Sequence, residues 1–274
     1  MKSNTPLPFQ SRVEGLLPGL CIGDALAMPV HWYYNRHALR QDYGWVEDYL
    51  TPHNPHPDSI LWRSSYTAIN AKAEILHEQA QYWGQKGIHY HQFLKAGENT
   101  LNVKICRLLV DSLNQHKGYQ ADDFLQRYIA FMTTPHSHRD TYIEECHRNF
   151  FNNYAAGLPP RQCGTTEKHI GGLVGLPPIV AFYNTQPQRA REAALEHLAL
   201  THPGPKMETA GSLLISILLE LLQGKSLQDT LLENIKAQKS PLLGHPFTKL
   251  LKEPDENVIG RYFSSACYVD DAVP

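Results

Sequence analysis

Four short polar stretches interrupt a chain otherwise patterned for apolar helix faces, and each gathers side chains able to bind or activate a ligand. The first is Gly23-Asp24-Ala25-Leu26-Ala27-Met28-Pro29-Val30-His31, where Asp24 is either a local hydrogen-bond acceptor at a helix end or a ligand contact. The second, Gly97-Glu98-Asn99-Thr100, opens a strongly apolar helix. Asn99 or Thr100 can cap that helix and Glu98 complements its dipole. The same oxygens also suit a hard cation such as Mg²⁺, or the ion of an anionic substrate. The third, Thr201-His202-Pro203, stands before the longest apolar helix, so His202 is a cap, a plug or a substrate contact. The fourth is Asp140-Thr141 with Glu144, Glu145 and His147. Glu144 and His147 are three apart and share one helix face, which reads first as a solvated face and second as the centre of an unrelated helical hydrolase.

Other patterns weigh less. His89-x-His91 and His136-x-His138 raise a structural zinc, but no H-E-x-x-H and no paired cysteines accompany them. Gly224-Lys225-Ser226 resembles the end of a phosphate loop, yet position 219 is Leu219 where that loop needs glycine. Gly171-Gly172-x-x-Gly175 has no strand before it, as a dinucleotide loop requires.

The elements that position these residues are helices. Leu101, Ile105, Leu108, Leu109 and Leu113 form one stripe of helical spacing; Met207, Ala210, Leu214, Ile217, Leu218 and Leu221 form another, with Gly224 at its end. Phe124 to Met132 follows the acidic pair Asp122-Asp123, a favourable charge at a helix start. Thr141-x-x-Glu144 reads as a capping box for a helix to about Tyr154, and Ser226-Leu227 opens a further amphipathic run. Tyr66 to Trp83 and Arg189 to Leu200 are rich in Ala, Glu, Gln and Leu and read as helix. Gly15, Gly19 and Gly23 share a face of the first helix, which predicts a second backbone packed close against it. Tyr49–Arg63, Leu158–Gly175 and Lys239–Gly260 read as loops. No alternating strand pattern stands out. The expectation is an all-α, orthogonal multi-helix bundle, a single domain over 13–274 after a tail over 1–12.

Bulk composition agrees. The 274 residues are 42% hydrophobic and 19% charged, enough for a core and too few charges for a disordered tail. A net charge of −2 argues against a nucleic-acid partner. Five widely spaced cysteines without a C-x-x-C pair predict reduced thiols and a cytoplasmic location. The longest greasy stretch, Ala210 to Leu222, is too short to span a bilayer, so no membrane association is expected.

Several segments together resemble the ADP-ribosylglycohydrolase family. Gly23-Asp24-Ala25-Leu26-Ala27-Met28-Pro29-Val30 is similar to its G-D-A-x-G-x-P-x-E opening, and Leu200-Thr201-His202-Pro203 to its T-H segment. His169-Ile170-Gly171-Gly172-Leu173 and Gly175-Leu176-Pro177-Pro178 stand where the family has a glycine-rich loop over the cleft. The resemblance runs from about Val13 to the end and is thin between Tyr33 and Lys95.

It implies hydrolysis of a glycosidic bond in an ADP-ribosyl or related nucleoside-type substrate, free or on a protein. It also implies two Mg²⁺ ions held by an early T-D-D-T and a late D-x-D-[TS] motif, orienting ribose hydroxyls and a water. The chain departs from that pattern. His31 replaces the expected glutamate, the early motif reads Gly97-Glu98-Asn99-Thr100, and the late motif is missing before Pro274, as in a chain truncated at its C-terminus. Glu98 and His31 are the catalytic candidates, Asp24, Asn99, His202, Gly171 and Gly172 the substrate contacts, and Glu98 with Thr100 the metal ligands. One carboxylate leads to an expectation of at most one weakly bound Mg²⁺ and little or no ADP-ribosyl hydrolysis. The competing reading is an inactive relative that serves as a ligand-binding or structural protein.

Overall fold

The computed structural model describes residues 7–237 and 239–273. The expected all-α architecture is what forms. Among the described residues no strand is present beyond the isolated bridges His169–Tyr268 and Ile259–Phe263. Contacts gather the chain into two compact units: Gly19–Thr165, and the segment through Pro18 together with Thr166 onward.

Helix α1 spans Phe9–Ala27, so it begins inside the stretch expected as a tail, of which residues 1–6 lie outside the described residues. In the unit from Gly19 to Thr165, α2 (Arg36–Tyr43), α3 (Leu101–His116), α4 (Ala121–Thr133) and α5 (Glu145–Ala155) follow. Helices α3 and α4 pack together over Leu109, Leu113, Phe124 and Leu125, all essentially buried. Tyr128, Phe150 and Phe151 close the core between α4 and α5.

The region 66–83, expected to be helical, forms only 3₁₀ turns at Ala71–Ala73 and His77–Tyr82. Side chains there capture backbone groups that a helix would need: Asn70 Oδ1 accepts from Lys72 N and Glu74 Oε1 from His77 N. His77 also has φ +46, which breaks helical continuity. Local propensity lost to tertiary contacts, among them Trp83 Nε1 donating to the Thr141 carbonyl at 2.9 Å. The capping box expected at Thr141 does not form either. Helix α5 starts after Glu144 with no side-chain cap, and the Thr141 hydroxyl bonds Gln79 Oε1 instead.

The other unit is built on α6 (Leu176–Phe182), α7 (Pro187–Thr201), α8 (Pro205–Leu222) and α9 (Leu227–Lys236), with short helices at Phe247–Leu250, Asp255–Val258 and Val269–Ala272. The first two of those short helices fall in a stretch expected to be loop. Ser226 caps α9 as its sequence suggests, accepting from Asp229 N. Helix α8 buries Gly211, Ile215, Leu219 and Leu222, while Leu214, Ile217, Leu218 and Leu221 of the expected stripe are half-buried. An almost wholly apolar helix does not choose its inner face by periodicity. What chooses it is Gly211: a Cβ there would lie 2.7 Å from Leu198 Cδ2 of α7. No atom lies within 4 Å of a Cβ built on Gly15, Gly19 or Gly23, so the close approach expected on α1 does not occur.

Phe9–Val30 is also long and apolar enough, by length and composition, to cross a membrane, a property assigned in the sequence to no segment.

Two further glycines are fixed by histidines. A Cβ on Gly175 would lie 2.5 Å from His197 Nε2, and one on Gly172 2.6 Å from His202 Nδ1. Both rings are buried and have nowhere to withdraw. Gly175→Ala is therefore expected to lower stability by about 1–3 kcal/mol through overpacking. Urea unfolding checks this, and a loss under about 0.5 kcal/mol would show that the His197 ring yields.

Candidate functional site

Helix α3 opens on a carboxylate from elsewhere in the chain. Thr100 occupies the N-cap position, yet its side chain caps nothing. Its hydroxyl donates to Asp24 Oδ1 at 2.7 Å and its backbone N–H to Asp24 Oδ2 at 2.8 Å. Asn99 Nδ2 donates to Asp24 Oδ2 at 3.0 Å and to the Cys21 carbonyl at 2.7 Å, which ties the end of α1 to the start of α3. Asp24, Asn99 and Thr100 thus meet, as their residue types suggested.

Glu98 points elsewhere. Both its carboxylate oxygens receive Arg139 Nη2, and Oε2 also accepts from Lys95 N at 2.6 Å. Burial alone would raise its pKa, but these partners hold it below the ordinary glutamate value. A two-Mg²⁺ centre does not fit these donors. Glu98 is committed to Arg139, the Thr100 hydroxyl to Asp24, and no cluster of three His, Cys, Asp or Glu among the described residues has metal-binding geometry. His136 pairs with Glu78 at the surface while His138 is buried, so that H-x-H pair offers no shared site.

His31 stands at the end of a chain of polar contacts that its sequence neighbourhood does not announce. His31 Nδ1 lies 2.9 Å from His91 Nε2, and His91 Nδ1 lies 2.8 Å from Asp140 Oδ1. Asp140 is fully buried and also accepts from Leu101 N at 3.2 Å and Lys104 Nζ at 3.1 Å. Desolvation would raise the Asp140 carboxyl, but the His91 hydrogen bond and the charge of Lys104 hold it well below the usual aspartate range. An ionised carboxylate only accepts, so His91 donates from Nδ1 to Asp140, and in the neutral tautomer its Nε2 is left as an acceptor. His31 then donates from Nδ1 to that Nε2, which leaves the His31 Nε2 lone pair unused; it makes no hydrogen bond among the described residues. Burial, with His91 next, lowers the His31 pKa to about 3, so the ring is neutral at ordinary pH.

Two more histidines hold the backbone that carries His31. His56 Nδ1 accepts from Asp58 N, so its Nε2–H donates to the His31 carbonyl at 2.8 Å. His89 Nδ1 accepts from His91 N, so its Nε2–H donates to the Pro29 carbonyl at 3.0 Å. The ring nitrogens of His89 and His91 are thus all engaged with protein partners. Trp32 adopts φ +59, a left-handed conformation that costs a bulky residue about 1–2 kcal/mol. That turn lays the indole over His91, with centroids 6.0 Å apart and planes 22° apart, and edge-on to Tyr142 at 5.4 Å.

The Asp140–His147 stretch, read first as a solvated face, is mostly interior: Asp140, Thr141 and His147 are buried. His147 Nδ1 meets the Tyr128 hydroxyl at 2.6 Å, and Asn102 Nδ2 donates to Glu144 Oε1 at 3.1 Å. A polar run with Ile143 and Phe150 among its neighbours carried that signal, because a half-apolar helix start is rarely all solvent.

In the other unit, His202 Nδ1 contacts its neighbour Thr201 Oγ1 at 2.8 Å and abuts Gly172, while its buried Nε2 has no hydrogen-bond partner among the described residues. Glu167 accepts from His169 Nδ1 at 2.9 Å beside it. Burial lowers the His202 pKa to about 4, against the opposing charge of Glu167. His202 and Gly172 are thus brought together, and Gly171 precedes them on the 3₁₀ run Ile170–Gly175.

In this all-α architecture the glycine-aspartate end of α1 meets the start of α3. The ADP-ribosylglycohydrolase family model matches residues 5–271, and the chain belongs to that family. A solved structure described as an ADP-ribosylglycohydrolase-related protein complex superposes with a TM-score of 0.59 at 19% identity, covering 97% of this chain and 73% of that one. At that identity the likeness is one of fold. Among curated proteins, none matches.

Proposed function

We propose that this chain hydrolyses a glycosidic bond in an ADP-ribosyl or related nucleoside-type substrate, free or on a protein, without a two-metal centre. Family membership supports the reaction class. The observation that carries the rest is His31: a neutral imidazole with one nitrogen held by His91 and the other left as an open lone pair. Such a nitrogen can accept a hydrogen bond from a water attacking the anomeric carbon and take its proton as the charge is shared with His91. The expectation of little or no turnover considered metal chemistry alone, and His31 supplies a base that needs no ion. Trp32 and Tyr142 beside it offer flat apolar surface for a ribose or a base. The odd set of five unmatched cysteines supports a reducing, cytoplasmic setting.

The test uses ADP-ribose joined to arginine, to serine and to nitrophenol, each with and without a chelator. His31→Ala is expected to lower kcat by roughly 10²–10⁴ on the accepted substrate, the usual worth of a general base, with KM little changed and the chelator without effect. Turnover that requires Mg²⁺ and survives His31→Ala would overturn this assignment.

A further inference from the structure

We propose that His91 and Asp140 are positioning residues that, with His31, form a proton relay running from the water-activating nitrogen to a buried carboxylate. This deepens the reading of His31 as base and rests on it. Three observations carry it. The contacts are end to end, 2.9 Å from His31 to His91 and 2.8 Å from His91 to Asp140. Three neighbours of the relay have a fixed tautomer or charge: His56 and His89 each accept a backbone N–H at Nδ1, and Lys104 pairs with Asp140. Asp140 is buried with Leu101 N and Lys104 as its further donors, so its charge is held in place rather than solvated. His138 also acts electrostatically on Asp140, and burial lowers its own pKa.

The step balances as follows. The oxygen of water bonds to the anomeric carbon, the bond from that carbon to the leaving atom breaks with its electron pair, and one water proton passes to His31 Nε2. His31 Nδ1–H then passes to His91 Nε2, which places the positive charge on His91, against the Asp140 carboxylate, instead of on the half-buried His31. Reversal of the same shift returns a proton from His31 to the leaving atom or to solvent. The logic is that of a base oriented by a histidine–carboxylate pair, lengthened by one imidazole.

Two variants test it. In Asp140→Asn the amide oxygen can keep the bonds from His91 and Leu101 while Lys104, partly exposed, turns away. The fold is thereby retained and the charge removed. His91→Gln interrupts the chain and leaves His31 in place. Each is expected to lower kcat on the accepted ADP-ribosyl substrate by roughly 10²–10⁴ with KM within about threefold. In mixtures of light and heavy water, wild-type kcat should fall along a curve, as when more than one proton moves, and His91→Gln should give a straight line. Nitrogen NMR of the unliganded protein should show His91 protonated at Nδ1 and His31 bare at Nε2. If wild type hydrolyses and needs His31, yet His91→Gln keeps kcat within about threefold and the wild-type isotope dependence is linear, the relay is wrong and the base assignment stands. If wild type hydrolyses none of the substrates, the functional reading fails and the catalytic relay fails with it.

Discussion

Lowering the pH from 7 to 5 is expected to remove several kcal/mol of this protein's stability, well before its carboxylates titrate. Three buried histidines account for that loss, and His31 adds to it in the same direction. Burial holds His89 at about 2, His197 at about 3 and His202 at about 4 in the folded chain, against about 6.5 when unfolded. Between those limits the unfolded chain binds a proton at each ring and the folded chain does not, so stability falls as pH falls. Each contributes roughly 1.4 kcal/mol per pH unit once below 6.5. Three together amount to about 4 kcal/mol per unit, against a typical total of about 5–15 kcal/mol. Carboxylates with depressed pKa, such as Glu98 and Glu167, act in the same direction only below about 4.5. Urea midpoints at pH 7.5, 6.5, 5.5 and 5.0 should decline steadily from 6.5 downward. A midpoint constant over that range would mean that the three rings are solvated or charged in the native state.

Asp140→Ala is expected to cost about 3–5 kcal/mol at pH 7.5, the loss typical when one partner of a buried charged network is removed. The carboxylate is wholly buried and serves His91, Lys104 and Leu101 N at once. Alanine leaves the His91 Nδ1–H and the Leu101 N–H, at the first turn of α3, without acceptors. The sign of the pH dependence follows from the depressed carboxyl: its contribution is complete above the unfolded value near 3.9 and is lost only as pH falls from there. Measurement at pH 7.5 therefore reads the full effect. Asp122→Ala is the matched control, because its ion pair with Arg161 is exposed and should be worth under about 1 kcal/mol. Chemical denaturation of both variants decides the point; an Asp140→Ala loss no larger than that of Asp122→Ala would show that the buried network carries no stability.

What the sequence determined by itself is what depends on neighbours along the chain. Helical spacing placed α3, α4, α8 and α9, composition placed α7, and Ser226 and the Asp122-Asp123 pair marked helix starts, because capping and dipole effects act within one turn. The polar run before Leu101 and the aspartate after Gly23 were singled out from residue type and from family resemblance, and they do meet. The tertiary structure decided which partner each buried polar group found. Thr100 looks like a cap and bonds Asp24; Glu98 looks like a free carboxylate and is held by Arg139. Asp140 looks like the edge of a solvated face and lies at the bottom of a relay whose other members are 49 and 109 positions away in the chain. Gly211, not the glycine trio of α1, marks the close helix crossing. For the buried polar groups, Thr100 and Asp140, the physical reason is the same. A buried donor or acceptor must be paired, but the pairing is set by which segments burial brings together, and nothing in the local spacing of residues records that.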